Sequence, residues 1–179
     1  MTNSEDNPRF PSFRLILMRH AKSDWGSPTL PDMARPLNAR GRRASRLMGR
    51  WMKDKGYLPD VVLCSPAERT RQTWQLLSQE LGTAPPLVLE RPLYHATAET
   101  MLDVLHGAAE EATVLMLGHN PGIAAMAQWL AHTAPPHPGF RRYPTAATTV
   151  FAFGIGNWAE AGWGTGKVLD FAIPKDLEG

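Results

Sequence analysis

A chain of 179 residues, 43% hydrophobic and 20% charged, has the size and balance of one compact domain with a single active site and lies outside the disordered and membrane-protein classes. Its formal net charge of +2 suits an anionic ligand but lacks the Lys/Arg runs of a nucleic-acid binder. Its single cysteine, Cys64, allows no intrachain disulfide and no thiolate metal site, which fits a reducing compartment; with no signal-like N-terminus and no membrane-length apolar run, the chain is expected in the cytoplasm, away from membranes.

Residues 1 to 12 read as a disordered polar tail and 13 to 179 as one domain. The run Phe13 to Met18 (FRLILM) predicts a short buried strand, which stops at Arg19-His20. A loop rich in Pro, Asp and Ser follows. A helix is then expected from Asn38 to Lys55, with Leu47, Met48, Trp51 and Met52 at helical spacing and Gly56 as its stop. The pattern recurs: Val61 to Cys64 predicts a strand, Ser65-Pro66 a helix start, and Ala67 to Leu81 a helix ended by Gly82. Leu87 to Leu89 predicts a third strand, Glu99 to Leu105 a helix, Thr113 to Leu117 a fourth strand, and Pro121 to Ala131 a helix after a Gly-His-Asn turn. Finally, Thr148 to Phe153 and Lys167 to Ile173 are strand-like with a Gly/Trp-rich connection, which predicts a terminal hairpin.

This alternation implies an open, mostly parallel α/β sheet with helices on both faces, a three-layer α/β/α domain whose ligands bind outside the carboxyl ends of the strands. Arg19-His20, Ser65 to Arg69, Leu93 to His95 and Gly118 to Asn120 all fall at such ends, so they are expected along one edge. Two arginines and two histidines gathered there supply donors on several sides, as a phosphoryl group requires. Guanidinium offers paired, charge-assisted bonds at any working pH, and a neutral imidazole nitrogen can attack phosphorus.

Leu17 to Trp25 (LMRHAKSDW) resembles the strand and "RHG" or "RHA" signature of the histidine phosphatase superfamily, which includes phosphoglycerate mutases and bacterial phosphohistidine phosphatases. Three further segments agree in the same order: DMARPLNARG from Asp32 resembles the "RPLN-x-RG" stretch of the phosphohistidine phosphatase branch, SPAERTRQT from Ser65 resembles "SPA-x-R-x-x-QT", and GHNPG from Gly118 resembles the second histidine motif. The resemblance covers nearly the whole chain after the tail. It implies that His20 is a nucleophile transiently phosphorylated, that Arg19 and Arg69 clamp the phosphate, and that His119 stabilises the transferring group. Ser23 falls where relatives often carry a phosphate-contacting hydroxyl. Ala21 and Gly26 replace a glycine and an asparagine of the mutase-like signature, and Leu93-Tyr94-His95 puts histidine where ester-cleaving relatives carry glutamate in an "L-x-E" pattern. The general acid is thereby unassigned among His95, Asp24, Glu99 or none. An imidazole leaving group, with a pKa of about 6.5, needs an acid far less than an alkoxide, so the gap favours a P–N substrate.

The implied activity is a metal-independent phosphatase acting on phosphohistidine in a phosphorylated protein. Alternatives are a phosphatase or mutase for small phosphorylated substrates and a noncatalytic phospho-group reader. Arg35, Asn38 and Arg40 are explained nearly as well by a turn, a helix cap and a solvated face, and are left outside the site. His106, His132 and His137 form no ligand pattern of the H-E-x-x-H kind and are expected at the surface; neither metal nor cofactor is implied. The GWGTGK segment at Gly162 lacks the spacing and following helix of a phosphate loop, and Trp51 and Trp74 are expected in packing, whereas Trp25 is placed to flank the pocket.

Overall fold

The computed structural model describes residues 13–108 and 110–178; the tail expected over 1–12 lies outside the described residues. Among the described residues six strands form one sheet: β1 (Phe13–Arg19), β2 (Val61–Cys64), β3 (Leu87–Leu89), β4 (Thr113–Gly118), β5 (Thr148–Phe153) and β6 (Lys167–Ala172), in the order β3-β2-β4-β1-β5-β6. The first four run parallel. β5 pairs antiparallel with β1 and β6 antiparallel with β5, so the expected terminal hairpin forms one end of the sheet. The helices are α1 (Ala39–Lys55), α2 (Glu68–Leu81), α3 (Ala98–His106), α4 (Gly122–Leu130) and the short α5 (Pro174–Leu177). No described helix is long and apolar enough to cross a membrane.

The central strands are apolar along their length because they are covered on both sides, and the two-residue period of a strand divides their side chains between two cores. Leu15, Leu17, Val114 and Met116 join α3 and α4 residues such as Met101, Leu105, Ile123 and Leu130 in one; Ile16, Met18, Leu115 and Leu117 join Met48, Met52, Trp74 and Leu77 from α1 and α2 in the other. Helices therefore lie on both faces. This construction leaves the carboxyl ends of β1, β2 and β4 side by side, since Arg19 stands opposite Gly118 and Cys64 opposite Leu117 in the ladder.

Two expectations are refined. β3 is an edge strand, and its three residues are exposed. His106 and His137, expected at the surface, are half-buried: His106 Nε2 donates to the Ala161 carbonyl at 2.6 Å, and His137 Nε2 lies 2.9 Å from Asp176 Oδ2.

Candidate active site

The sequence motifs act first as fasteners. Gln72 Oε1 accepts the Leu37 N–H at 2.8 Å and Thr73 Oγ1 accepts the Ala21 N–H at 3.0 Å, so the Gln-Thr pair of α2 holds the loop that follows β1. Asn38 caps α1 by accepting the Gly41 N–H at 2.8 Å. A Cβ on Gly41 would lie 2.0 Å from the Lys22 carbonyl oxygen, and one on Gly122 would lie 2.0 Å from that of Ala96; both contacts are backbone against backbone, so only glycine fits.

These ties shape a cavity of about 260 Å³ at the strand ends. All six residues singled out from the sequence, Arg19, His20, Ser23, Arg69, His95 and His119, line it, joined by Lys22, Asp32, Arg35 and Asn120. Trp25 lines it as well, 73% exposed, with the Arg35 guanidinium 3.5 Å above its ring. A larger cavity of about 870 Å³ lies beside β6 and shares none of these residues.

His20 is 7% exposed, and its Nδ1 lies 2.7 Å from the Ala21 carbonyl oxygen. A carbonyl only accepts, so the neutral ring carries its proton on Nδ1 and leaves the lone pair on Nε2. Burial above all, then the charges of Arg19, Arg69 and Arg35, outweigh the opposing bond to Ala21 and push the imidazole down to about 3. His20 is therefore neutral at any ordinary pH.

His119, 4% exposed, stands with its ring centroid 5.2 Å from that of His20. Its Nε2 lies 2.7 Å from Ser65 Oγ, which also accepts the Ala67 N–H at 3.4 Å; we assign the hydroxyl proton to the His119 bond, with Oγ donating to Nε2. The N–H of the neutral ring is then on Nδ1. Burial above all, then the electrostatic coupling to His20 that would oppose a second proton in the site and the charge of Arg69, push this imidazole down to about 3 as well.

Arg69, on the first turn of α2, donates from Nη1 to the Asp32 carbonyl at 2.8 Å and from Nη2 to Asp32 Oδ2 at 3.1 Å. Arg19 donates from Nη1 to the carbonyl of Tyr143 at 3.1 Å. Tyr143 is a buried residue at φ 51°, and its hydroxyl donates to the Leu17 carbonyl at 2.6 Å. The surrounding packing thus holds a left-handed backbone where it presents that carbonyl. Among the described residues, five buried side-chain nitrogen or oxygen atoms lack a partner, and four of them, Arg19 Nε, Arg69 Nε, His119 Nδ1 and Asn120 Oδ1, belong to residues lining this cavity. Buried donors are almost always paired, so three unpaired N–H groups in one cationic pocket mark a site for an anion with several acceptor oxygens.

Sequence reasoning left out the groups that organise this pocket. Asp32 accepts from Arg35 on Oδ1 at 2.8 Å and from Arg69 on Oδ2; the Tyr94 hydroxyl also donates to Oδ2, and His95 Nε2 lies 3.4 Å away. Tyr94 first, then Arg35 and Arg69, hold this carboxyl well below the usual carboxylate range against the opposing effect of burial. Arg35, which a turn had seemed to explain, is 8% exposed and donates from Nη1 to Ser23 Oγ at 2.8 Å. The i,i+3 spacing of Asp32 and Arg35 was the available signal, but it fits an exposed turn equally well. His95 adopts φ 54°, a left-handed conformation uncommon outside glycine. Of the other acid candidates, Asp24 accepts the Gly26 N–H in its own turn at 2.7 Å, and Glu99 lines an adjoining groove rather than the cavity. Among the described residues, no three His, Cys, Asp or Glu side chains form a group that could hold a metal ion.

A three-layer α/β/α domain with paired histidines and arginines at its strand ends has donors placed to hold a phosphoryl group on several sides. The sequence profile of the histidine phosphatase superfamily (branch 1) matches residues 15–93. An uncharacterized protein of Mycobacterium tuberculosis is 32% identical over 164 residues, spanning 88% of this chain and 100% of its own length. Among solved structures, the SixA protein from Nakamurella multipartitia superposes with a TM-score of 0.76 at 29% identity, over 91% of this chain and 96% of its own. SixA from Agrobacterium tumefaciens does so with a TM-score of 0.75 at 28% identity, over 92% and 99%. The chain belongs to the histidine phosphatase superfamily, a superfamily of phosphatases and mutases, and stands on its SixA-like branch.

Proposed function

We propose that the protein is a metal-independent phosphatase that removes phosphate from phosphohistidine on a phosphorylated protein by way of a phosphorylated His20. The observation that carries this reading is the state of the one carboxyl group lining the cavity: Asp32 is held ionised by Tyr94, Arg35 and Arg69, so it has no proton to give a leaving group. Proton donation by a placed acid contributes about 10²- to 10⁴-fold to the cleavage of a poor leaving group. An alkyl ester would need that contribution. A phosphohistidine ring protonated on its other nitrogen does not, because it leaves as neutral imidazole, whose conjugate acid has a pKa of about 6.5. The SixA relatives bear the name of phosphohistidine phosphatases, which agrees with the chemistry.

In the first step, the Nε2 lone pair of His20 forms a bond to phosphorus while the P–N bond of the substrate breaks; the substrate ring enters protonated on its other nitrogen, so the electron pair of the broken bond stays on a ring that leaves as neutral imidazole. Arg19 and Arg69 hold the phosphoryl oxygens. The N–H of His119 meets the charge that grows on them in the transition state, where a fixed donor counts most. Water then attacks the phosphorylated His20, releasing inorganic phosphate and restoring the free imidazole. Ser23, fixed by Arg35, and His95, held near Asp32, border the substrate.

The test compares kcat/KM for a phosphohistidine protein and for an alkyl phosphate, with and without chelator. The phosphohistidine substrate should be favoured by at least ~10²-fold, chelator should leave the rate unchanged, and wild type but not His20→Ala should form an acid-labile, alkali-stable phosphoenzyme. Equal turnover of the two substrates, loss with chelator, or full activity of His20→Ala would each overturn the proposal.

A further inference from the structure

Next to the catalytic cavity lies a second concavity of about 340 Å³, and the two share His95 and Asn120 in their walls. Its floor is one face of α4: Gly122, Ala125 and Trp129 stand at i, i+3 and i+7, which places them in a row along the helix. Ala96, two residues before α3, and Ala98 at its start form the facing wall. The two walls meet where Gly122 lets α4 approach the Ala96 carbonyl, the position at which a Cβ would come within 2.0 Å. Glu99 is the one carboxylate lining it.

The far end is closed by Trp129, a large apolar side chain left 47% exposed. It makes an edge-to-face pair with Trp163, itself 39% exposed, at 5.4 Å between ring centroids. This end is tied down. Gly164 N–H donates to the Trp129 carbonyl at 2.7 Å and Gly166 N–H to the Leu130 carbonyl at 2.8 Å, which clips the Trp163 loop to the end of α4. An apolar trough thus begins at the wall of a cationic phosphoryl pocket and ends on a fixed aromatic pair.

We infer that this trough is a substrate subsite that takes an apolar side chain of the phosphorylated protein about three residues from its phosphohistidine. The inference rests on the proposed function and adds to it a sequence requirement. The spacing follows from α4: seven residues at 1.5 Å each put Trp129 about 10 Å beyond Gly122, and an extended chain covers that in about three residues at 3.3 Å each. The occupant is apolar because alanine, proline and tryptophan dominate the lining, and it belongs to the substrate because the trough is continuous with the place where the phosphoryl group sits. A small phosphorylated molecule would fill the cavity and leave the trough empty.

The experiment uses two nine-residue phosphohistidine peptides that differ by leucine or aspartate three residues from the phosphohistidine, placed on each side in turn, and the same peptides bearing phosphoserine. On one side, leucine should raise kcat/KM by at least about 10-fold over aspartate, mainly through KM, as expected for burying one apolar side chain. Trp129→Ala should reduce that ratio to near one, and so should Ala125→Glu, which places a charge in the same row. Phosphoimidazole, which has no flanking residues, reports whether the catalytic cavity is intact in each variant. A leucine-to-aspartate ratio near one in wild type, on whichever peptides are turned over, overturns the inference, as does turnover of phosphoimidazole with no turnover of any peptide. Preference for phosphoserine peptides overturns the proposed function, while their leucine-to-aspartate ratio still reads the trough.

Discussion

Acid should destabilise this protein through its two site histidines in a way that can be separated from every other titration. In the unfolded chain His20 has its ordinary pKa of 6.5, and in the folded protein burial and three guanidinium groups push it to about 3. The folded value lies below the unfolded one, so the stability linked to this group is complete above pH 6.5 and is lost as pH falls from 6.5 toward 3. At pH 5 the unfolded chain has bound nearly one proton here and the folded protein almost none, a difference of about 2 kcal/mol; at pH 7 it is only a few tenths. His20 is 7% exposed and His119, also pushed to about 3, is 4% exposed, so solvent screening does little to reduce either contribution. Urea unfolding of wild type, His20→Gln and the double variant His20→Gln/His119→Gln at pH 7 and pH 5 measures it. Between the two pH values, wild type should lose about 2 kcal/mol more than the single variant and about 4 kcal/mol more than the double variant. Equal losses in all three would mean that the folded protein takes up these protons by pH 5, and the picture of a nucleophile kept neutral by its surroundings would fail.

Ser65→Ala removes the hydroxyl that fixes the His119 tautomer, and kcat should fall at least ~10-fold with little change in KM; an unchanged kcat would show that His119 needs no such orientation. Arg69→Lys keeps the charge but loses the planar fork, and a drop of about 10²-fold in kcat/KM is expected; near-normal kinetics would remove Arg69 from the clamp. His95→Glu restores a carboxyl group where ester-cleaving relatives carry one and should raise turnover of an alkyl phosphate relative to phosphohistidine, by at most ~10²- to 10⁴-fold. If His95→Ala instead abolishes turnover of both substrates, the argument that a missing acid marks a P–N substrate is wrong.

Local sequence alone determined the strands, the helices, their order and the strand-end positions of five candidate residues, Arg19, His20, Arg69, His95 and His119. The physical reason is that these features depend on near neighbours: an apolar run breaks at Arg19, a stop is set by Gly56 or Gly82, and a capping side chain such as that of Asn38 reaches an N–H three residues away. The organisation of the pocket depends on distant partners, and only the tertiary structure decided it. Tyr94 meets Asp32 across 62 residues, Arg69 meets it across 37, and Arg35 reaches Ser23 across 12. Read in its own segment, each is a polar residue at the start of a helix or in a turn. Packing α2 against the loop after β1 buries Ser23, Arg35 and Arg69 and sets both guanidinium groups against Asp32 at the rim of the cavity, so Asp32 becomes the shared acceptor of the site.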